Sequence, residues 1–349
     1  MQGLTQPVQV IDQKFGDNWA LYHGDCCQVV KGVPDASVGL SVFSPPFSNL
    51  YIYSDSAFDM GNAVDDAEFL THFGYLAPEL FRVTIPGRLC VVHCKDLPKY
   101  RNRDGVAGLK DFPGQIIALF ESHGWTYHSR VTIWKCPVVE MERTKNHGLL
   151  HKTVRADSSA VRQGMADYLV VFRRPPTDGL ASADPIVRPT GFKEWHGDPT
   201  LDPRVNDWHP SKYARKGKMS LGNRQINDSI RIWQRMADPV WFHIDQQDVL
   251  NYTLGKSNKD EKHICPLQLG AIREAVGLWS NPGDVVMDPF GGIGSTGHEA
   301  VRMGRKFVGF ELKESYFREA VRNLTAAERS LGDKDLFSDF DPEAGDADG

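Results

Sequence analysis

No run of 18 or more apolar residues occurs in the 349-residue sequence, so no membrane-spanning helix is expected. The N-terminal stretch MQGLTQPVQVIDQKFGDNWA lacks a basic segment followed by an apolar one, and no secretory signal is expected from it. Cysteine is scarce. Cys26, Cys27, Cys90, Cys94, Cys136 and Cys265 form no paired framework, which points to a reducing, cytoplasmic setting. Internal repeats are absent as well. What is present is the balance of a globular protein, with 41% hydrophobic and 24% charged residues, on a chain long enough to bury a large core without disulfide staples.

The net charge of −5 hides a strong asymmetry. Residues 333–349 carry seven acids and one lysine, so the rest of the chain is near neutral. Within that body, 143–174 holds seven Lys/Arg against two Asp, and 211–235 holds seven against one. Two basic stretches on a neutral body suit a polyanionic partner, although solvated surface would look the same.

Short apolar or alternating runs read as strands at Trp19–His23, Val38–Phe43, Arg88–Cys94, Tyr127–Trp134, Tyr168–Phe172, Val285–Asp288 and Phe307–Glu311. Helical spacing covers Asp65–Arg82, Leu109–His123, Leu267–Trp279, Thr296–Met303 and Ser315–Leu331, with Asp65 or Asp66 as a cap and Pro266 in a first turn. This alternation predicts an α/β sheet with helices on both faces. No helix separates Tyr127–Trp134 from Tyr168–Phe172, so an antiparallel edge hairpin is expected there. Residues 176–262 are rich in Pro, Gly, Asp and Asn and hold four of the eight tryptophans, Trp195, Trp208, Trp233 and Trp241. They read as an insertion or small subdomain, with a short helix at Gln225–Met236 and with Trp233 and Trp241 in its core. The acidic tail from 333 reads as disordered.

Two motifs carry chemistry. In DVVMDPFGGIGSTG (284–297) a strand ends at Asp288, turns through glycines and enters a helix near Ser295. Gly292, Gly294 and Gly297 fit G-x-G-x-x-G, a weak signal strengthened by its strand–turn–helix setting. Glu311, at the end of the next strand, stands where an acid can accept both hydroxyls of a ribose. Both NAD and S-adenosylmethionine offer such a ribose, and a purely structural turn would also fit. Asp288 favours the second ligand, because a carboxylate there repels a pyrophosphate and accepts an ammonium or sulfonium cation. No lysine follows the glycines, so this is not a P-loop.

The second motif is Ser44-Pro45-Pro46-Phe47, directly after the strand VGLSVF. Consecutive prolines cannot continue a strand ladder and stiffen an extended backbone. The Ser44 hydroxyl and the Pro45 carbonyl form a rigid pair of acceptors beside the Phe47 ring. They suit a planar amino-heterocycle, whose exocyclic nitrogen is a poor nucleophile until its hydrogens are held and its lone pair exposed. A plain strand exit is the bland alternative.

Together these residues resemble the amino-group DNA methyltransferases that modify cytosine N4 or adenine N6. The order of the motifs resembles their class β, a circularly permuted arrangement. The resemblance covers most of 19–330 and is strongest over Leu21–Phe47 and Asp260–Leu324. It implies a seven-stranded, Rossmann-like sheet with its last hairpin antiparallel. It also implies S-adenosylmethionine as cofactor and double-stranded DNA as partner. Ser44, Pro45, Pro46 and Phe47 would be catalytic. HGDC at 23–26 resembles the segment whose acid, here Asp25, lies near the cofactor's adenine. HICPLQL at 263–269 resembles the helix entry that receives its methionine end, which points to Cys265 and Pro266. Asp288, Pro289, Phe290, Gly292, Gly294, Ser295, Thr296 and Glu311 complete the implied cofactor set. The basic connection 140–165 would be a DNA-facing lid or a mere solvated loop, and 176–262 the target-recognition region. DNA contacts are expected from Arg143, Lys145, Lys152, Arg155, Lys212, Arg215 and Lys216.

The implied organisation is an N-terminal extension (1–18), a catalytic half (19–175), the recognition region (176–262), a cofactor-binding half (263–332) and the tail (333–349). A monomer or homodimer is expected, with a restriction endonuclease as a candidate partner. A solitary regulator or a phage enzyme would carry the same motifs. Ser rather than an acid or amide at the first corner position is more typical of cytosine-N4 enzymes in that family, so cytosine N4 is expected ahead of adenine N6. A hydroxyl could also donate toward the cytosine ring N3, although it can rotate to suit either base. No Pro-Cys pair occurs, only Cys-Pro at 136–137 and 265–266, so a covalent thiol mechanism is not expected. Cys90, His93 and Cys94 look like metal ligands, but strand alternation puts the cysteines on one face and His93 on the other, and no metal is expected.

Overall fold

The computed structural model describes residues 9–48, 59–144, 147–177, 179, 182, 184–187, 232–233, 235–251 and 266–338. Its centre is a nine-stranded sheet in the order β1-β2-β11-β10-β3-β4-β8-β7-β9. The strands are β1 (Asp12–Phe15), β2 (Trp19–His23), β3 (Val38–Phe43), β4 (Thr84–Lys95), β7 (Thr126–Ile133), β8 (Asp167–Arg173), β9 (Val240–Trp241), β10 (Val285–Asp288) and β11 (Lys306–Glu311). A separate antiparallel pair, β5 (Leu97–Lys99) and β6 (Gly108–Lys110), follows β4, with the one-turn helix α3 (Arg101–Asp104) between its strands. Strands β2, β11, β10, β3 and β4 are mutually parallel, and β1, β8 and β7 run antiparallel to their inner neighbours. Strands β10 and β11, from the last quarter of the chain, slot between β2 and β3. That insertion is the structural form of the permuted motif order.

All seven expected strands are present and lie side by side. Two more flank them. β1 is exposed throughout, and β9 pairs in parallel with β7. The β7–β8 pair is therefore antiparallel as expected but is not the sheet's rim. The connection between its strands is also not a plain loop. It folds into α5 (Pro137–Thr144), α6 (His151–Ala156) and two 3-10 turns.

The central strands are near-continuous apolar runs because both faces are covered. Every residue of β3 is buried. On one face α2 (Asp66–Val83) and α4 (Phe112–Ser122) deliver Phe69, Phe73, Phe112 and Phe120 against Phe43 and Phe172. On the other, α7 (Leu269–Trp279) packs Ile272, Ala275 and Val276 against Val42, Val91 and Val171. At the β2–β11 end, α8 (Ser295–Arg302) and α9 (Glu314–Ser338) cover Trp19, Leu21 and Phe307. The close fit there requires Gly297. A Cβ at that position would come within 2.5 Å of both Leu324 and Phe307.

Several boundaries differ from expectation for local reasons. α2 is capped by Asp65, whose carboxylate accepts the Glu68 N–H at 2.9 Å. α4 starts at Phe112 rather than 109, because 108–110 is β6 and Asp111 caps the helix through the Gly114 N–H at 2.8 Å. Pro266 lies before the first turn of α7, whose N-cap is Gln268. α9 runs to Ser338, so 333–338 is helical backbone and not disordered chain; nothing between Gly332 and Pro342 breaks a helix. Residues 339–349 lie outside the described residues.

Trp241 is fully buried, but in the main core, stacked 6.2 Å from Trp279 at an interplanar angle of 24°. Trp233 is 60% exposed. Neither builds a separate subdomain core, and β9 ties residues 240–241 of the expected insertion to the main sheet. Most of the rest of 176–262, with Trp195 and Trp208, lies outside the described residues, as does 225–231 of the expected helix. Among the described residues no helix is long and apolar enough to cross a membrane.

Candidate active site

The C-terminal ends of β2, β3, β10 and β11 open on one cavity of about 190 Å3. It lies beside the β10–β3 neighbours, where connections leave the sheet in opposite senses and open α/β sheets hold ligands. Ser44, Pro45, Pro46 and Phe47 line it, and so do Asp288, Pro289, Phe290, Gly292, Ser295, Thr296 and Glu311. Asp25 and Pro266 join them. Two motifs some 240 residues apart in sequence thus share one space. Gly294 does not line it. It caps α8 in a left-handed conformation (φ 87°) and aims the helix N-terminus inward. Cys265 lies outside the described residues.

The glycine turn and Glu311 hold each other. The Gly292 N–H donates to Glu311 Oε2 at 2.7 Å, and the Lys313 N–H donates to Oε1 at 2.7 Å. A carboxylate has about four lone-pair sites, so two remain for hydroxyl donors. Burial pushes Glu311 up to about 8, against the backbone bonds that lower it, with Asp288 and Asp59 adding repulsion. Asp288 is likewise pushed up to about 7 by burial, although it accepts the Phe290 N–H at 2.9 Å. A donor-rich or cationic ligand beside two acids raised in this way would favour their ionised forms. Asp25 caps the short helix α1 (Cys26–Val29) through the Cys27 N–H at 3.2 Å, and burial raises it too. Thr296 Oγ1 donates to the Val42 carbonyl at 3.2 Å, fastening the start of α8 to β3.

The Ser-Pro-Pro-Phe corner is locked from both sides. Beyond it, Ser48 takes a left-handed turn (φ 53°), donating its N–H to the Pro46 carbonyl at 3.0 Å and its hydroxyl to Asp66 Oδ1 at 2.5 Å. The Phe47 ring lies 5.9 Å from His93 and 6.3 Å from Phe112. Ser44 Oγ lies 3.0 Å from His93 Nδ1. The sheet register explains this meeting. Phe43 pairs with Val92, so Ser44 is next to His93 across the β3–β4 seam.

His93 and its neighbours are the part that the sequence reading missed. Strand alternation separated His93 from Cys90 and Cys94, and both cysteines are indeed buried in the aromatic-rich core. What His93 does instead depends on β8. Lys95 pairs with Asp167 in register, which puts Asp167 diagonally across from His93 on one face. Nothing in the local sequence of either residue marks the pair. Asp59, Met60, Lys313 and Tyr316 also line the cavity unheralded.

The expected DNA contacts divide. β4 ends at Lys95 beside Asp167, the first residue of β8, and Ile133, the last of β7, also pairs with Asp167. The connection 134–166 therefore rises from the same rim of the sheet as the cavity. Its Lys152 and Arg155 are exposed on α6. Arg143 sits on α5, with its side chain outside the described set. Lys145, Lys212, Arg215 and Lys216 lie outside the described residues.

The family model for DNA methylases of the N6/N4 type matches residues 38–322. M.BamHI, a type II methyltransferase of Bacillus amyloliquefaciens, is 21% identical over 322 residues, which is 91% of this chain and 60% of that protein. The DNA adenine methyltransferase YhdJ of Escherichia coli (strain K12) is 48% identical over 67 residues, 19% of this chain and 23% of that one. The chain thus spans less than two-thirds of the length of these relatives. Among solved structures, a protein from Thermus thermophilus described as a DNA modification methylase, complexed with S-adenosyl-L-methionine, has a TM-score of 0.56 at 20% identity over 88% of this chain and 93% of that one. PvuII DNA methyltransferase, described as cytosine-N4-specific, has a TM-score of 0.50 at 15% identity over 93% of this chain and 96% of that one. At those identities the likeness is one of fold. Because the family match takes in both the Ser-Pro-Pro-Phe corner and the glycine turn and covers most of the 349 residues, this chain belongs to the N6/N4 DNA methylase family.

Proposed function

We propose that this protein transfers a methyl group from S-adenosylmethionine to the exocyclic amino group of a base flipped out of double-stranded DNA. The observation that carries the reading is the convergence of Ser44-Pro45-Pro46-Phe47 with Asp288, Gly292 and Glu311 on one cavity. The residues present fit the cofactor. Glu311 keeps lone pairs for two ribose hydroxyls, and Asp288 offers a buried carboxylate to a cationic group. Asp25 and Pro266 stand at the positions the family resemblance assigns to its two ends. Bound there, S-adenosylmethionine supplies a methyl group on an electron-poor sulfur.

The rest is done by the chain. A base inside a duplex hides its amino group, so the target must be swung into the cavity. Ser44 and Pro45 hold its amino hydrogens, and Phe47 stands beside the ring. Catalysis is then orientation for in-line attack and stabilisation of charge developing on nitrogen. Neither a metal nor a covalent intermediate is called for. Such a protein works in the cytoplasm on chromosomal, plasmid or phage DNA, with residues in 176–262 reading the target sequence.

Cytosine N4 is the first reading of the target, carried by Ser44 at the head of the corner. A second reading, adenine N6, is favoured by the 67-residue segment that is 48% identical to an adenine methyltransferase. Transfer of tritiated methyl from the labelled cofactor to duplex DNA tests the reading. Label in DNA is expected, and label only in RNA or protein acceptors, or in none, contradicts it.

Lys152 and Arg155 are assigned to phosphate contacts, as are Arg143, Lys145, Lys212, Arg215 and Lys216. Replacing Lys152 and Arg155 by Ala together should weaken DNA binding alike for all sequences. The slope of log affinity against log salt should fall by about 2, one for each phosphate no longer neutralised. Fluorescence anisotropy across a salt series reads this. An unchanged slope removes α6 from the DNA interface.

A further inference from the structure

We propose that His93 and Asp167 form a buried relay behind Ser44 that commits its hydroxyl to accept, and not donate, a hydrogen bond at the target base. The inference rests on the methyltransferase reading for its chemistry, but its geometry stands alone. His93 is 6% exposed and Asp167 6%. His93 Nδ1 lies 3.0 Å from Ser44 Oγ, and Nε2 lies 3.3 Å from Asp167 Oδ2, long and imperfectly aligned for a hydrogen bond. Lys135 Nζ approaches the same Asp167 oxygen at 2.8 Å, and Lys95 Nζ lies 3.7 Å from the other. Ser44, Asp167, Lys95, Lys135 and the Phe47 ring are the groups ranged around the imidazole. Burial by itself would raise the Asp167 carboxyl, but the His93 ring nitrogen beside it and the charges of Lys135 and Lys95 outweigh it and hold it well below the ordinary carboxylate range.

An ionised Asp167 can only accept. Of the two neutral tautomers of His93 it therefore selects the one that carries its proton on Nε2. Nδ1 is then a bare acceptor, and the Ser44 O–H must donate to it. The hydroxyl has one hydrogen, already spent, so only its lone pairs face the cavity. They can take an N–H from the target amino group and can give nothing to a ring nitrogen.

The relay also balances the proton. In the transfer step the target nitrogen forms a new N–C bond while the C–S bond breaks and its electron pair stays on sulfur. The nitrogen is left cationic with one proton too many. That proton moves to Ser44 Oγ as the Ser44 proton moves to His93 Nδ1, and the imidazolium faces Asp167 until product leaves and water takes the proton. His93 and Asp167 act through Ser44 and are positioning residues.

One consequence concerns base choice. A hydroxyl that cannot donate gives cytosine N3 no hydrogen bond, so Ser44 serves cytosine and adenine alike. The donor part of the case for cytosine is thereby withdrawn, and discrimination falls to the walls of the cavity.

Nitrogen NMR of the full chain with 15N-labelled histidine tests the relay without cofactor or DNA. The His93 signals, identified by their loss in His93→Asn, are expected to show a protonated Nε2 and a bare Nδ1. Ser44→Ala should move the Nδ1 signal and leave Nε2 protonated. A proton on Nδ1, or His93 signals indifferent to Ser44→Ala, overturns the proposal. Kinetics give a second readout. His93→Leu should lower the single-turnover rate roughly a hundredfold with both Michaelis constants near wild type. His93→Asn, whose amide oxygen can stand in for Nδ1, should recover part of that loss. In the Ser44→Ala background His93→Leu should cost nothing further, because both changes remove one unit. Additive losses would mean that His93 supports the fold and not Ser44. Should the wild-type chain transfer no methyl group, the functional reading fails, while the ring nitrogens still decide the relay.

Discussion

Ser44→Ala is expected to lower the rate of methyl transfer by about 10²–10³-fold, the usual loss when one preorganised hydrogen-bonding partner is removed from a reacting centre. Affinity for S-adenosylmethionine should barely change. Ser44 follows the end of β3 and Glu311 ends β11, with β10 between those strands, and the Ser44 hydroxyl is bonded to His93, not to the glycine turn. The amino nitrogen of a nucleobase has its lone pair delocalised into the ring. Without an acceptor on its hydrogen the nitrogen stays flat, and the Pro45 carbonyl alone must turn it. Stopped-flow or rapid-quench single turnovers, with cofactor binding measured by calorimetry, separate the two effects. A normal rate would make the Pro45 carbonyl sufficient, and a lost rate with equally lost cofactor affinity would mean that the cavity had collapsed.

Glu311→Ala is expected to weaken S-adenosylmethionine binding by tenfold or more, from about 1.5–3 kcal/mol for hydrogen bonds to a charged acceptor. The effect has a pH signature. Burial raises Glu311 to about 8 and Asp288 to about 7 in the free protein. A raised acid favours the protonated folded state, so these two groups lower stability as pH climbs from the ordinary carboxylate range through 7 and 8. Hydroxyl donors and a cation favour the ionised forms, so ligand binding pulls both values down and releases protons. Affinity should therefore rise as pH increases through about 7 to 8. Calorimetry in two buffers of different ionisation enthalpy measures the protons released. Glu311→Gln should remove its share of them, and a flat pH dependence in the wild type would detach Glu311 and Asp288 from the cofactor.

Much of this site was legible in the chain because its parts are local. Ser44-Pro45-Pro46-Phe47 and 288–297 announce themselves by prolines and glycines whose backbone demands are set within a few residues, and Glu311 follows at the end of an apolar strand. The strands of the inner sheet were legible for the same reason, as buried apolar runs bounded by turns. Elements without a period were not. β1, with all four residues exposed, and β9, two residues long, leave no pattern to read. Trp241 looked like material for a separate core because its partner, Trp279, is remote in sequence. The relay was illegible for a related reason. Whether His93 meets Asp167 depends on the register between β4 and β8, and a shift of one residue would turn every side chain of β8 to the other face. The helices α5 and α6 inside a segment rich in polar and basic residues show the limit of reading polarity as loop.

The central claim is that methyl carbon passes to an exocyclic amine of DNA. Its most direct test uses S-adenosylmethionine with a trideuterated methyl group, duplex DNA of mixed sequence, and digestion of the product to nucleosides. Mass spectrometry with fragmentation then locates the heavy methyl. The expected product is N4-methylcytosine or N6-methyladenine carrying three deuteriums, formed by the wild type and nearly abolished in Ser44→Ala. Heavy methyl on cytosine C5, on a ring nitrogen or on no nucleoside at all would contradict it.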